Sequence, residues 1–317
     1  MNKRDRSAED RRSKQRLAEN LAVVRIARDA GELDREVMQL AQSLILCGLP
    51  YRPTDAVRVS RKARLGDGST VTVTFTAAIE GSELPFGSDR TVLHFIFDKA
   101  IKSGKRFVSW ETAKEFIEAM GMQKNGKNYA DLRARFARIR GLAISVLRAG
   151  PSGESTMVSP IIRRSHLPTS VDVRSDAVGK QLLPLGDGIM FGVEIDEDFF
   201  EELKRHHVPV PSLILRTTRK QSQLQDLMLF LYWRCYAARN ETLIPWSGLH
   251  QQLWHEDKKQ SRIRARFADA IKALRIIWPE LEAEARSDGL RVGPARGGIQ
   301  LLGEGKSNKR IVPVQDH

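Results

Sequence analysis

The sequence predicts an α+β fold, mainly helical, built as two tandem halves with the same order of parts behind a flexible basic N-terminal arm. Three observations predict it. The first 16 residues carry no aliphatic side chain larger than Ala after Met1. A set of segments recurs at offsets of 131 and 136 residues. A hairpin pattern follows each of two long Arg-rich helices.

Length agrees: 317 residues at ~150 per domain give about two domains. A hydrophobic content of 41% and a mean hydropathy of −0.37 describe a globular chain with material for two ordinary cores. No apolar run approaches the ~18 residues of a membrane span, and the N-terminus lacks a secretory apolar segment, so the expected location is the cytoplasm. Cys47 and Cys235 stand far apart without Cys or His at ligand spacing. This excludes a disulfide framework and a zinc ribbon, and predicts free buried thiols. The 52 Lys and Arg against 39 Asp and Glu leave a net charge of +13, which favours a polyanionic partner.

The arm, MNKRDRSAEDRRSKQR, holds seven basic and three acidic side chains and cannot bury a core. From Leu17 to about Cys47 the spacing predicts a helix, with Leu33, Val37, Leu40, Leu44 and Cys47 forming one stripe. Such a stripe packs on its own domain or forms a short dimer seam. Beyond Pro50 and Pro53, VRVSRKARLGDGSTVTVTF alternates around Asp67-Gly68 and predicts a β-hairpin carrying Arg58, Arg61, Lys62 and Arg64.

The repeat comes next. LHFIFDKAI from Leu93 matches LFLYWRCYA from Leu229, and Trp110 in FVSW matches Trp246 in IPWS, both at an offset of 136. RARFA occurs at Arg133 and again at Arg264, an offset of 131. Each half thus reads as an apolar helix, a short extended segment ending in Trp, an amphipathic helix, a basic turn and a long Arg-rich helix. The second copy leads into LEAEARSDGLRVGPARGGIQLL, a hairpin turning at Ser287-Asp288-Gly289, and the first into the longer MVSPIIRRSHLPTSVDVRS. Between them GDGIMFGVEIDEDFFEELKRHHVPVP predicts a strand, a helix capped at Asp196 and a proline stop, opening the second domain. Helix, helix, helix and hairpin describe a winged helix-turn-helix, which places one helix in a DNA groove.

On the second long helix Phe267, Ala270, Ile271, Leu274 and Ile277 fall within about 80° of Ile263 and form a core face with it. Ser261, Ala265, Ala268 and Lys272 lie opposite, flanked by Arg262 and Arg264, with Lys258, Lys259 and Gln260 ahead of the helix. Small residues allow close approach to a major groove. Gln260 and Arg264 are the base-reading candidates, and Lys259, Arg262 and Lys272 suit phosphates. Lys258, Ser261 and, on the hairpin, Arg291 complete the set. The first long helix repeats the design, with Leu132, Phe136, Ile139, Ala143 and Val146 inside. Ala130, Arg133, Ala134, Ala137 and Arg138 lie outside, and Lys124 and Lys127 sit in the turn before it.

Enzyme readings are weak. GEGKS at 303–307 lacks the first glycine of a phosphate-binding loop. His206-His207 lacks metal-ligand spacing, and Tyr232 and Tyr236 belong to a core helix. The acidic run from Asp196 suits a helix N-terminus. No catalytic residue, metal ligand or cofactor is expected.

The segments LPFGSDRTVLHFIFDKAIKSGKRFVSWETAKEFIEAMGM, VPVPSLILRTTRKQSQLQDLMLFLYWRCYA, IPWSGLHQQLW and RFADAIKALRIIWPEL resemble, in this order, the plasmid RepA-type replication initiators. MQKNGKNYAD stands where that family commonly has a glycine-rich turn. The resemblance spans about residues 84–302. It implies two winged-helix domains, the C-terminal one reading directly repeated origin sites (iterons) and the N-terminal one serving dimerisation and DNA backbone contact. The expected partners are double-stranded DNA, host initiator, helicase and loader proteins, and a second copy in a homodimer, with no membrane. The expected division is 1–32, arm and helix; 33–180, N-terminal winged helix; 181–303, sequence-reading winged helix; 304–317, tail. A winged-helix transcriptional repressor and a DNA-nicking initiator are the alternative readings.

Overall fold

The computed structural model describes residues 3–32, 36–65, 67–110, 116–118, 124–166, 192–218, 221–253 and 260–295, and leaves the side chains of residues 3–11, 13, 166 and 260 undescribed. Its antiparallel sheets and separate helices are α+β. The chain divides into a central unit, residues 39–208, and a terminal unit that joins residues 1–38 to residues 209–317. This partition differs from the expected one at 32/33 and 180/181, and the residues at the ends explain why.

Helix α1 (Lys3–Asp29) takes up most of the expected arm. Its Arg, Lys, Glu, Gln and Ala residues favour helix even where they cannot form a core. Asn20 Nδ2 donates to Thr217 C=O at 3.5 Å, Arg28 Nη1 donates to Ile276 C=O at 2.7 Å, and Leu21 and Val24 are buried. α1 therefore belongs with the C-terminal elements. Gly31, at φ +74°, ends the helical course in a conformation that side chains resist.

The expected continuous helical stripe is broken into a strand and a helical turn. Residue 33 lies outside the described residues, Val37–Ala41 is strand β1, and Gln42–Leu46 is the single turn α2. Leu40, Leu44 and Cys47 are at most 5% exposed within the chain itself, so they cannot form a dimer seam. Steps of three and four arose because both a strand and a helical turn present apolar residues inward.

Strands β2 (Arg58–Arg64) and β3 (Thr70–Ala77) form the expected hairpin. Helix α3 (Asp89–Ser103) is followed by β4 (Phe107–Ser109), a helical turn at 116–118, and α4 (Gly126–Arg140), capped by Asn125. α4 stops at Gly141, so Ala143 and Val146, expected inside it, instead lie on strand β5 (Leu142–Gly150). β5 turns through Pro151-Ser152 into β6 (Gly153–Pro160), making the sheet β2-β3-β5-β6. Then β7 (Ile162–His166) and β8 (Gly192–Ile195) join β4 in the order β4-β8-β7. β8 and α5 (Glu197–Arg205), capped by Asp196 as expected, thus close the central unit rather than open the second one. Trp110, Phe116 and Phe136 cluster with ring centroids 5.2–5.4 Å apart.

Strand β9 (His207–Pro211) pairs with β1 in a two-stranded sheet. The terminal unit continues with α6 (Ser212–Thr218), α7 (Ser222–Ala237), β10 (Thr242–Pro245), α8 (Trp246–Leu253), α9 (Gln260–Ile277), β11 (Ala283–Ala285) and β12 (Gly289–Val292). Phe267 sits at its centre, 6.0 Å from Phe230 and 5.8 Å from Trp246 between ring centroids. Its sheet runs β10-β12-β11. This is the order of β4-β8-β7, and the match extends to one residue. Gly192 pairs with Ser109, just before Trp110, and Gly289 pairs with Pro245, just before Trp246. A Cβ on either glycine would come within 2.5 Å of a facing carbonyl oxygen, of Val108 or Ile244. The two halves repeat at the level of backbone packing.

Candidate nucleic-acid interface

Helix α9 presents the two faces that its spacing predicts. Ile263, Phe267, Ala270, Ile271, Leu274 and Ile277 are buried, and Ser261, Arg264, Ala265, Ala268 and Lys272 are exposed. Rows four and three residues apart place Ser261, Ala265, Ala268 and Lys272 along one line of the helix surface. Arg264 stands beside this line, and exposed Arg262 lies on the opposite flank. α1 packs against α9 through Arg28 and Ile276, toward the C-terminal end of α9, and leaves the small-residue line open. Lys258 and Lys259 lie outside the described residues. Gln260 is the first helical residue, with its side chain also outside them.

The hairpin β11–β12 is held by two further contacts. Trp246 Nε1 donates to Arg286 C=O at 3.1 Å, and Arg286 N–H donates to Gly289 C=O at 2.9 Å. The indole therefore fixes the turn between β11 and β12. Arg291, a candidate contact, has its charge engaged: it pairs with Glu241 at 2.6 Å and Glu282 at 3.7 Å. The hydrogen bond to Glu241 raises the guanidinium pKa further and lowers that of the Glu241 carboxyl.

In the central unit α4 keeps Lys127, Ala130, Arg133, Ala134 and Ala137 exposed around buried Leu132, Phe136 and Ile139. Lys124 is exposed and pairs with Glu118. Arg138 requires correction as an outward cation. Its Nε and Nη2 bind both Asp89 carboxylate oxygens at 2.6 and 2.9 Å, and its guanidinium lies 4.6 Å from the Phe86 ring centroid. The hydrogen bond to Asp89 is also the main reason its pKa rises. Sequence spacing placed Arg138 on the rim of the outer face, and only the fold brings Asp89 to it. Two features escaped the sequence reading: exposed Arg140 and, on α9, the exposed carboxylate Asp269. Neither stands on the small-residue line.

Burial shifts the reactive groups elsewhere. Burial pushes the Cys47 and Cys235 thiols up to about 12, so the native protein is expected to leave both unmodified by a thiol reagent at neutral pH, with two thiols titrating after denaturation. Early modification of either would contradict its placement. Burial lowers the His206 pKa, and its neighbour Glu202, 3.7 Å away, is held by Arg148 at 2.8 Å. Burial raises the Tyr232 phenol pKa. Among the described residues no three His, Cys, Asp or Glu side chains are grouped to hold a metal, and no helix is long and apolar enough to cross a membrane. The GEGKS segment lies outside the described residues.

No family model matches the chain, and no curated protein matches it. Among solved structures it is similar to the crystal structure of RctB domains 2-3 (RctB 155–483). The identity is 12% and the TM-score 0.40, covering 78% of this chain and 85% of that one. A second crystal structure, of selenomethionine derivatives of RctB domain 2 and domain 3, is 14% identical at a TM-score of 0.45, covering 71% of this chain and 80% of that one.

Proposed function

We propose that the chain is a plasmid replication initiator whose two units are winged helices, and that α9 lies in the major groove of repeated double-stranded DNA sites at the origin. The observation that carries the reading is the open line Ser261–Ala265–Ala268–Lys272, flanked by Arg262 and Arg264, on a helix whose opposite face is buried. Small side chains let the helix backbone approach base edges, and the cations beside them reach bases and phosphates. Arg264 and Gln260 read bases; Lys258, Lys259, Arg262 and Lys272 hold phosphates; Ser261 hydrogen-bonds either. Lys127 and Arg133 on the exposed face of α4 add backbone contact. Host replication proteins, among them an initiator, a helicase and its loader, are recruited to the bound repeats, and unwinding follows from DNA deformation rather than covalent chemistry.

The test begins with duplexes selected from a random pool by the full chain. Arg264→Ala is expected to cost about 1–3 kcal/mol on the selected site and relax preference at one base pair, whereas Lys259→Ala weakens selected and random duplexes alike and lowers the salt slope by about one. Unchanged affinity of Arg264→Ala for the selected site would remove that side chain from the interface. Loss of maintenance of a minimal plasmid on deleting the gene supports an initiator; derepression with maintenance intact supports a repressor instead.

A further inference from the structure

Strand β2 is an edge of the sheet β2-β3-β5-β6, and its register shows which backbone groups face outward. Ala77 N–H donates to Val57 C=O at 2.8 Å, and Leu65 N–H to Ser69 C=O at 2.9 Å. Paired residues in an antiparallel ladder alternate between bonded and non-bonded. Val59, Arg61 and Ala63 therefore direct their N–H and C=O groups to β3, while those of Arg58, Ser60 and Lys62 point away from the sheet. The side chains of these same residues, with Arg64, line one exposed face, and neither β2 nor β3 contains a carboxylate. On that face they stand opposite Thr70, Thr72, Thr74 and Thr76, with the Ser60 and Thr74 hydroxyls 2.8 Å apart.

We propose that this edge takes an extended acidic peptide of a partner protein, added as one more strand with carboxylates facing Arg58 and Lys62. Same-face positions recur about every 6.7 Å along any strand, so a peptide matches the cation row residue for residue. Charge complementarity chooses an acidic partner, and the backbone chooses a peptide. A strand satisfies both the outward N–H and the outward C=O groups, whereas a phosphate accepts from the N–H groups and is repelled by the carbonyls. This face of β2 and β3 also offers no aromatic ring on which a base could stack. A second copy of β2 would bring cation against cation, which opposes self-pairing. The inference does not depend on the DNA reading of α9.

The experiment uses the full chain and a fluorescent, acetylated peptide of alternating Glu and Val, followed by anisotropy and by hydrogen exchange. Binding is expected to slow exchange at the amides of Arg58, Ser60 and Lys62. The double variant Arg58→Glu, Lys62→Glu is expected to lose about tenfold in affinity. Methylating the peptide amides that face β2 should cost a similar factor on the unmodified protein, an arm that stands even if the charge-reversed variant fails to fold. Binding that ignores both changes would overturn the proposal. So would an oligonucleotide that protects the same amides more strongly than the peptide, or self-association of the chain through β2 on sedimentation.

Discussion

Asp89→Ala is expected to cost the central unit about 3 kcal/mol of folding stability. Asp89 is 2% exposed, and its carboxylate receives both Arg138 bonds, the Phe86 N–H at 3.0 Å, and an ion pair to Arg135 at 3.9 Å. Removing it leaves the Arg138 guanidinium and the Phe86 amide without their acceptor and Arg135, whose Nη1 keeps the Ser88 carbonyl at 3.3 Å, without its counter-ion, and the loss of compensation for buried charge outweighs the modest net worth of each bond. Arg135 already feels burial as a lowered pKa, with Asp89 the first of the charges that offset it. Asp89→Asn keeps an acceptor for Phe86 N–H and should lose less. Denaturant unfolding of the full chain measures both, and equal stability of Asp89→Ala and the unmodified protein would contradict the network.

Phe267→Ala and Ala268→Glu, adjacent on α9, are expected to act in opposite ways. Phe267 is fully buried against Phe230 and Trp246, so its truncation loses transfer energy and leaves a cavity, about 3–5 kcal/mol in all. Ala268 is exposed, so its replacement should leave the melting midpoint within about a degree of the unmodified protein. The same replacement sets a carboxylate on the line proposed to face DNA, where repulsion by phosphates is expected to lower affinity for the selected duplex by a hundredfold or more. Melting curves and a binding titration on the two variants check the pair. A destabilised Ala268→Glu would mean that the outer face is covered.

The elements legible in the sequence are those whose own residues decide them. α9 combines an unbroken 3.6-residue rhythm of large apolar side chains with exposed small residues, and Ser287-Asp288-Gly289 marks its hairpin turn. The repeat of Trp110 and Trp246 also marked a shared order of parts, but GVEI at 192–195, expected to open the second domain, is the middle strand of the first three-stranded sheet. What failed to show was tertiary. Leu33 to Cys47 mimicked one helix because a strand and a helical turn together reproduce three-and-four spacing, and only the pairing of β1 with β9 separates them. The long helix was carried into β5 because Ala143 and Val146 continue its rhythm past Gly141. Arg138 and Arg291 looked available because their partners, Asp89 and Glu241, lie 49 and 50 residues away in sequence.

The claim that the open line of α9 faces duplex DNA is tested most directly by photo-crosslinking from that line. A benzoylphenylalanine placed at Ala268, with the same group at exposed Glu280 as the control, is irradiated in complex with the selected duplex. Crosslinks to bases from position 268 and none from position 280 are predicted. Retained binding with no crosslink from 268, or equal crosslinks from both positions, would contradict the assignment of α9 to the groove.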